Sequence, residues 1–281
     1  MNLLRHKIKP VETIRAGAAR PVFVGSMTVL AILAIIVIAG PILAPGDPLH
    51  TDLNLRLAPP SIHYPMGNDA LGRCLMSRLI YGARISVGTG LAVVLFSCVF
   101  GTFFGLIAGY AGGIADEALM RVTDMFLAFP EMIAAIALAG IMGPGDANLV
   151  FAISCVSWTR YARVARGITL TTKEMLYVKA ARLAGVPSPV IVIRHIFPAA
   201  KSSMLVLATV GVAKAILAVS ALGFLGFGVQ PPNPEWGTLL MEGKDYLLTA
   251  PHLSIFPGLC IMLTVMAFNL LGDELKNRFG A

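Results

Sequence analysis

The chain has 281 residues, of which 57% are hydrophobic and only 13% are charged, and its formal net charge is +7. Soluble domains carry roughly 25% charged residues, so this composition excludes a single water-soluble fold. It predicts an all-α polytopic membrane protein. The positive net charge could suggest a nucleic-acid partner, but the cations collect in particular loops, as they do when they set membrane topology.

Motifs for chemistry within the chain are missing. The only Gly-Lys pair, Gly243-Lys244, is followed by Asp and does not form a phosphate-binding loop, so we expect no ATP site in this chain. The cysteines and histidines stand apart, which predicts neither a disulfide framework nor a metal site. A membrane enzyme would need a nucleophile and a general base within the bilayer, and the sequence offers no such pair. We therefore expect no catalytic residue, no metal and no cofactor.

Six hydrophobic segments predict six transmembrane helices, at residues 22–44, 85–110, 116–140, 149 to 161 and beyond, 199–227 and 254–271. The first apolar run is too long for a signal peptide, so it is expected to stay as an extra N-terminal helix. The predicted domains are a cytoplasmic tail (1–21), this helix (22–44), an external segment (45–84) and a core of five transmembrane helices (85–281).

Orientation follows from charge. Six spans place both termini and the segment 171–198 on one side, and between Arg160 and Lys201 the chain has eight cations against one acid, Glu174. By the positive-inside rule, that side is the cytoplasm.

The segment Thr171–Pro198 is the most distinctive stretch. Thr171 and Glu174 have the spacing of a capping box, and Gly185 with Pro187 is a stop signal, so a helix of about three turns is predicted within residues 172–186. Small and apolar residues share one stripe and cations another, which favours docking against a partner over a merely solvated basic loop.

Two further patterns lie in the hydrophobic segments. Gly101, Gly105 and Gly109 form a doubled GxxxG ridge that predicts close helix packing. Glu131 and Lys214 are isolated charges on different helices, and they are candidates for a pathway lining, a gate or a structural ion pair.

The run KAARLAGVPSPVIVIRHIFP resembles the EAA loop of binding-protein-dependent ABC importer permeases, with Ala180, Ala181, Gly185 and the ending Ile196-x-Pro198 in place. Lys179 stands where the family name has Glu. The segment GNDALGRCLMSRLIYGARIS is similar to the C-type, second-subunit permeases of the dipeptide, oligopeptide and nickel branch. It departs from them at Asn68 and Cys74. Later stretches, including GLIAGYAGG and ALGFLGFGVQPPNPEWG, resemble the same branch.

This resemblance implies a type I importer permease in a bacterial inner membrane, half of a heterodimer with a homologous second permease. Two ABC ATPases, which hold ATP and Mg, and an external substrate-binding protein complete the assembly. The cytoplasmic coupling helix that docks on the ATPase would include Glu174, Tyr177, Lys179, Ala180, Ala181, Arg182 and Gly185.

The external segments suggest contacts for the binding protein, and the candidates are Asp69, Arg73, Glu235 and Trp236. For the PPNPEWG stretch, a cap of the fifth helix with Trp236 at the membrane interface is an equal alternative. Dipeptides, oligopeptides and nickel or metal chelates all remain open as cargo. The competing function is a stand-alone ion-coupled carrier that uses Glu131 and Lys214 as coupling groups.

Overall fold

The computed structural model describes residues 9–279, with side chains from residue 23 onward. The backbone of these residues forms ten α-helices joined by turns: α1 Lys9–Leu43, α2 Leu75–Ala111, α3 Gly113–Leu127, α4 Glu131–Met142, α5 Asp146–Thr172, α6 Leu176–Leu183, α7 Ser188–Ile191, α8 Phe197–Phe224, α9 Trp236–Gly243 and α10 His252–Phe279. A π-helical turn, Val192–Ile196, joins α7 to α8 into one continuous rod, Ser188–Phe224.

Within residues 9–279, four helices are long and apolar enough to cross a membrane: Phe23–Leu43, α2, the rod Ser188–Phe224 and α10. The predicted third span is two helices, α3 and α4, bent by 87° at Ala128–Pro130, and counting this pair raises the number to five. The predicted fourth span, α5, does not meet the same criterion, because polar and cationic residues interrupt its apolar sequence. The prediction of six spans is therefore not confirmed by length and composition.

Several helix bounds differ from the prediction. Helix α2 begins at Leu75, ten residues before the predicted start, so the end of the segment assigned to the exterior is helical. Helix α1 begins at Lys9, inside the predicted tail, whose first eight residues lie outside the described part. Apolarity alone shows neither bound. The residues that precede the apolar run of α2 contain no proline, whereas α1 continues through Pro21 without ending there.

Helix α2 is the centre of the core and makes its most extensive contact with α5. The glycine ridge lies in this contact. A Cβ atom at Gly105 would lie 2.7 Å from Ala165 Cβ, and one at Gly109 would lie 2.6 Å from Thr169 Cβ, while at Gly101 it would collide with the backbone of Trp158. Helix α8 packs on α2 and α5, and α10 packs on α8, with α1 against α2 and α10.

Candidate functional site

The short helix α6 lies between two long helices, α5 and the rod Ser188–Phe224. It has eight residues, about two turns rather than three, and the capping box is not formed. Thr171 is still inside α5, where its hydroxyl donates to the carbonyl of Ile168 at 2.9 Å. The capping-box prediction is wrong because α5 continues through Thr172. The hydroxyl of Thr171 therefore bonds within α5 and does not cap the start of α6.

Gly185 ends this segment as expected for a helix-terminating glycine. Its φ is +78°, a left-handed conformation that favours glycine. The amide of Gly185 donates to the carbonyl of Arg182, and the amide of Val186 donates to that of Ala181, both at 3.1 Å. These two bonds satisfy carbonyls at the end of α6 and turn the chain sharply toward Ser188.

Helix α6 has one anchored face. Val178 is fully buried in a small apolar cluster with Leu106 of α2, Ile191 of α7 and Ile196 of the π turn. Arg182 lies over the ring of Tyr110, with Cζ 5.4 Å from its centroid. These contacts fix α6 to the C-terminal end of α2, next to the start of α3.

The opposite face of α6 is open. Leu176 is 85% exposed and Leu183 is 90% exposed, and Ala180 between them is exposed as well. Lys179 is paired with Glu174, Nζ to Oε2 at 2.9 Å, and this pair lowers the pKa of the Glu174 carboxyl from its ordinary value. The surface of α6 is therefore an apolar stripe beside a largely neutralised charge pair, less cationic than its sequence suggests.

A ladder of three ion pairs joins α5 to the bent pair α3 and α4. Arginines one turn apart on α5 each contact a different acid, and the pairs are Arg160–Glu131, Arg163–Asp124 and Arg166–Asp116. The first has Nη2 and Oε2 2.7 Å apart. The sequence showed these arginines only as a basic helix end. Their i, i+3, i+6 spacing opposite an amphipathic helix was the signal that could have revealed the ladder.

Glu131 and Lys214 lie around one small cavity but are not paired with each other. Glu131 accepts hydrogen bonds from Ser157 Oγ at 2.8 Å and from Arg160 Nη2 at 2.7 Å. Lys214, on α8, is exposed, and within the described residues no carboxylate lies within 4 Å of it. The sequence prediction missed Arg160 and Ser157, which complete this group.

The four residues proposed as binding-protein contacts are all buried inside the chain: Asp69, Arg73, Glu235 and Trp236. Such side chains cannot meet a docking protein, so this prediction is corrected. Trp236 is buried and donates Nε1–H to the Leu79 carbonyl at 3.1 Å. Glu235 is the N-cap residue of α9, and its carboxylate accepts hydrogen bonds from the amides of Gly237 and Thr238, each at 2.9 Å.

Asp69 and Arg73 belong to a buried charge cluster that the sequence did not reveal. Arg78, fully buried at the start of α2, contacts Asp69 Oδ2 at 2.6 Å and both carboxylate oxygens of Glu242 on α9. Arg73 also contacts both acids, at 2.6 and 3.2 Å. The cluster ties the loop before α2 to α2 and α9. Two cations against two carboxylates make it neutral overall, which is how charged groups are tolerated when buried.

No group of three or more metal-ligating side chains occurs among the described residues, and the cysteines there are free. Three features stand out: a short surface helix between two long ones, a small cavity lined in part by charged side chains, and a loop before α2 that is held by buried ion pairs. Together with several helices long and apolar enough to cross a membrane, they define a multi-span membrane protein.

Comparison with known proteins agrees with this class. Residues 101–280 match the family described as binding-protein-dependent transport system inner membrane component. The chain is 39% identical to the dipeptide transport system permease protein DppC of Haemophilus influenzae over 264 residues, covering 92% of this chain and 89% of the relative. It is 44% identical over 223 residues to the glutathione transport system permease protein GsiD of Pectobacterium atrosepticum, covering 79% and 74%.

The di/tripeptide transport system permease protein DppC of Pseudomonas aeruginosa is 39% identical over 259 residues, with 90% and 86% covered. The chain therefore belongs to the family of inner-membrane permeases of binding-protein-dependent ABC importers, in its peptide branch.

Proposed function

We propose that this permease forms half of a heterodimeric pathway that imports short peptides, powered by two separate ATPases that dock on α6. The observation that carries the proposal is the geometry of α6. Its Val178 face is fixed to the core, while Leu176 and Leu183 are exposed on the other face. Exposed leucines on a fixed helix are an apolar surface that a partner can cover.

The connectivity of α6 supports its role as a coupling helix. It is joined without a long loop to α5 on one side and to the rod Ser188–Phe224 on the other. A displacement of α6 therefore moves two core helices together. ATP binding and hydrolysis in the partners would favour outward-open and inward-open arrangements in turn, which is the differential coupling that transport requires.

The proposed topology keeps six spans with both termini in the cytoplasm. Helix α5, the span that apolarity does not support, is 27 residues long, enough to cross a bilayer. Its three arginines are each paired with an acid of α3 or α4. Pairing of this kind lowers the cost of placing charge among membrane helices, so α5 remains the proposed fourth span.

The proposed cargo is a di- or oligopeptide, delivered by an external binding protein. Support comes from the relatives, which are named for dipeptide, di/tripeptide and glutathione transport. Nickel or metal chelates remain the second cargo class, on the motif resemblance alone. The described part of the chain shows no cluster of metal-ligating side chains, so a metal would cross without a site of that kind here.

The alternative of a stand-alone ion-coupled carrier used Glu131 and Lys214 as coupling groups. Glu131 is instead neutralised by Arg160 and hydrogen-bonded by Ser157. The two charges are therefore not arranged as one coupled pair, and the family membership favours the ATP-driven importer over this alternative.

The test is to replace Leu176 and Leu183 together by Asp in the complete transporter. We expect assembly of the membrane subunits to persist, while peptide uptake and stimulation of ATP hydrolysis by loaded binding protein fall at least about tenfold. The control is Leu248→Asp, because Leu248 is 99% exposed but lies in the external loop after α9. Normal uptake by the double variant would refute ATPase docking at α6.

A further inference from the structure

A lysine inside a membrane-spanning helix is the starting observation. Lys214 lies ten residues before the end of the rod Ser188–Phe224, roughly 15 Å along its axis, and so near mid-membrane if the rod spans. It is exposed on the surface of the chain, and the described residues offer it no carboxylate partner. An unpaired ammonium is costly against lipid, so this position requires water or an anion.

Several polar side chains stand beside Lys214 in a cavity whose remaining wall is apolar. Lys214 lines this cavity, of about 30 Å³, with Ser97, Glu131, Ser157 and Arg160. The cavity admits only a group the size of a water molecule or a single carboxylate oxygen. Arg160 is already neutralised by Glu131, so this group carries one net positive charge, that of Lys214.

Ser97 provides an independent observation. Its side chain is 1% exposed, and its Oγ has no hydrogen-bond partner among the described residues. A buried hydroxyl without a partner costs free energy unless something occupies the adjacent space. The hydroxyl donor and the ammonium line the same cavity, and both are donors toward an anionic oxygen.

We infer that Lys214, with Ser97 beside it, binds the C-terminal carboxylate of the peptide during its passage. This inference rests on the proposed function and deepens it by naming the chemical group that the pathway recognises. A free carboxylate is shared by dipeptides, tripeptides and glutathione, the cargoes in the names of the relatives. One ammonium facing one carboxylate is also independent of the peptide's side chains.

The experiment compares uptake of alanyl-alanine and of its C-terminal amide by the complete transporter in proteoliposomes. The affinity of the binding protein for each peptide is measured first, and each peptide is then supplied at a saturating concentration. A preference of the binding protein for one peptide therefore does not affect the comparison. We expect Lys214→Gln to lower uptake of the free acid about tenfold and to leave the amide within about twofold, since a charge-assisted contact is lost only for the acid. Lys214→Arg keeps most of the acid uptake.

Lys201→Gln is the matched control. Lys201 is also exposed and lies on the same helix, but it does not line the cavity, so both peptides should cross at the wild-type rate. An unchanged acid-to-amide ratio in Lys214→Gln, or an equal loss for both peptides, overturns the inference. Loss of the second permease on purification of this variant also overturns it, because Lys214 would then pair with an acid of that subunit.

A labelling experiment supplies a readout that does not depend on turnover. In a chain whose four cysteines are replaced by Ser, Lys214→Cys should react with an anionic thiol reagent, and alanyl-alanine should slow that reaction. Absence of labelling would place the position against lipid and overturn the inference. If the wild-type transporter imports neither peptide, the proposed function itself fails. That outcome is read from the wild type alone and is therefore distinct from a failure of the Lys214 inference.

Discussion

Arg166 of α5 holds Asp116 of α3 with two parallel hydrogen bonds, from Nε to Oδ1 at 2.6 Å and from Nη2 to Oδ2 at 2.7 Å. Lys173, two turns later, donates Nζ–H to the carbonyl of Gly109 at 2.7 Å, at the C-terminal end of α2. The end of α5 that leads into α6 is therefore tied to both neighbours. In the proposed mechanism, a force on α6 would reach α2 and α3 through these polar contacts as well as through the backbone.

The first prediction concerns this tie. Replacing Arg166 by Gln should uncouple ATP hydrolysis from uptake and lower the thermal stability of the permease modestly, by about 1 kcal/mol, because the pair is only partly buried. Uptake and ATP hydrolysis are measured on the same reconstituted complex. The exchange Arg166→Asp with Asp116→Arg should recover part of the coupling, because it restores the pair with the charges reversed.

Arg121→Gln is the control for the ladder. The Arg121–Glu117 pair lies on α3 alone and both side chains are more than two-thirds exposed, so its loss should change neither coupling nor stability. If the two variants have the same ratio of uptake to ATP hydrolysis, the ion pairs between α5 and α3 have no role in coupling.

How much of this was readable in the sequence differs from element to element. The close approach at Gly105 has a local cause, the absence of a side chain, and the GxxxG spacing displays it directly. The end of α6 at Gly185 is likewise local, since a left-handed residue before Pro187 needs glycine. The bend between α3 and α4 lies at Pro130 and has a local cause, because the residue before a proline is disfavoured in a helix. The prediction of one span over residues 116–140 used hydrophobicity alone and missed this bend.

The charged residues were the part that sequence reasoning could not place. Asp69 and Arg73 read as an exposed polar loop, because Glu242, the second acid that Arg73 contacts, is more than 160 residues away. Only the fold brings that carboxylate to Arg78, and only then is burial possible. Glu235 was similarly taken as a surface acid, although its neighbours Trp236 and Gly237 begin a buried helix.

The second prediction tests the glycine ridge. Gly105→Leu should destabilise the permease by about 1–3 kcal/mol, because even a Cβ atom there meets Ala165 and the backbone of Ala162. Thermal unfolding in detergent measures this. On the same helix, Gly88 has open space around it, and Gly88→Ala should be neutral or slightly stabilising. Tolerance of leucine at Gly105 would mean that α2 and α5 are not held together by this contact.

The third prediction concerns the buried charge cluster. Arg78→Gln should destabilise the loop before α2 by about 3–5 kcal/mol, because it leaves the buried Asp69 and the partly buried Glu242 with one cation fewer. Limited proteolysis of the loop before α2 and the melting temperature both report it. Arg84 is exposed on the same helix, and Arg84→Gln is the matched control. An Arg78 variant as stable as the Arg84 variant would contradict the cluster's role.

The last prediction is a pH dependence that arises at Glu235. Burial raises the pKa of this carboxyl above its ordinary value of 4.5, and the hydrogen bonds from Gly237, Ser86 and Thr238 oppose part of that rise. The folded state thus holds the proton more tightly than the unfolded chain. The free energy of unfolding is therefore expected to fall as pH rises from 4.5 through the raised pKa, and to level off above it.

Glu235→Gln reproduces the shape of the protonated acid and cannot ionise, so its melting temperature should lack this decline with pH. The comparison requires melting curves of the wild type and the variant across the same pH series, with Glu117→Gln as a control, because Glu117 is mostly exposed. A wild-type curve that stays parallel to the Glu235→Gln curve would show that the donors around Glu235 fully offset its burial. In that case the carboxyl would be an ionised cap of α9 throughout, and the decline would have to be sought at another group.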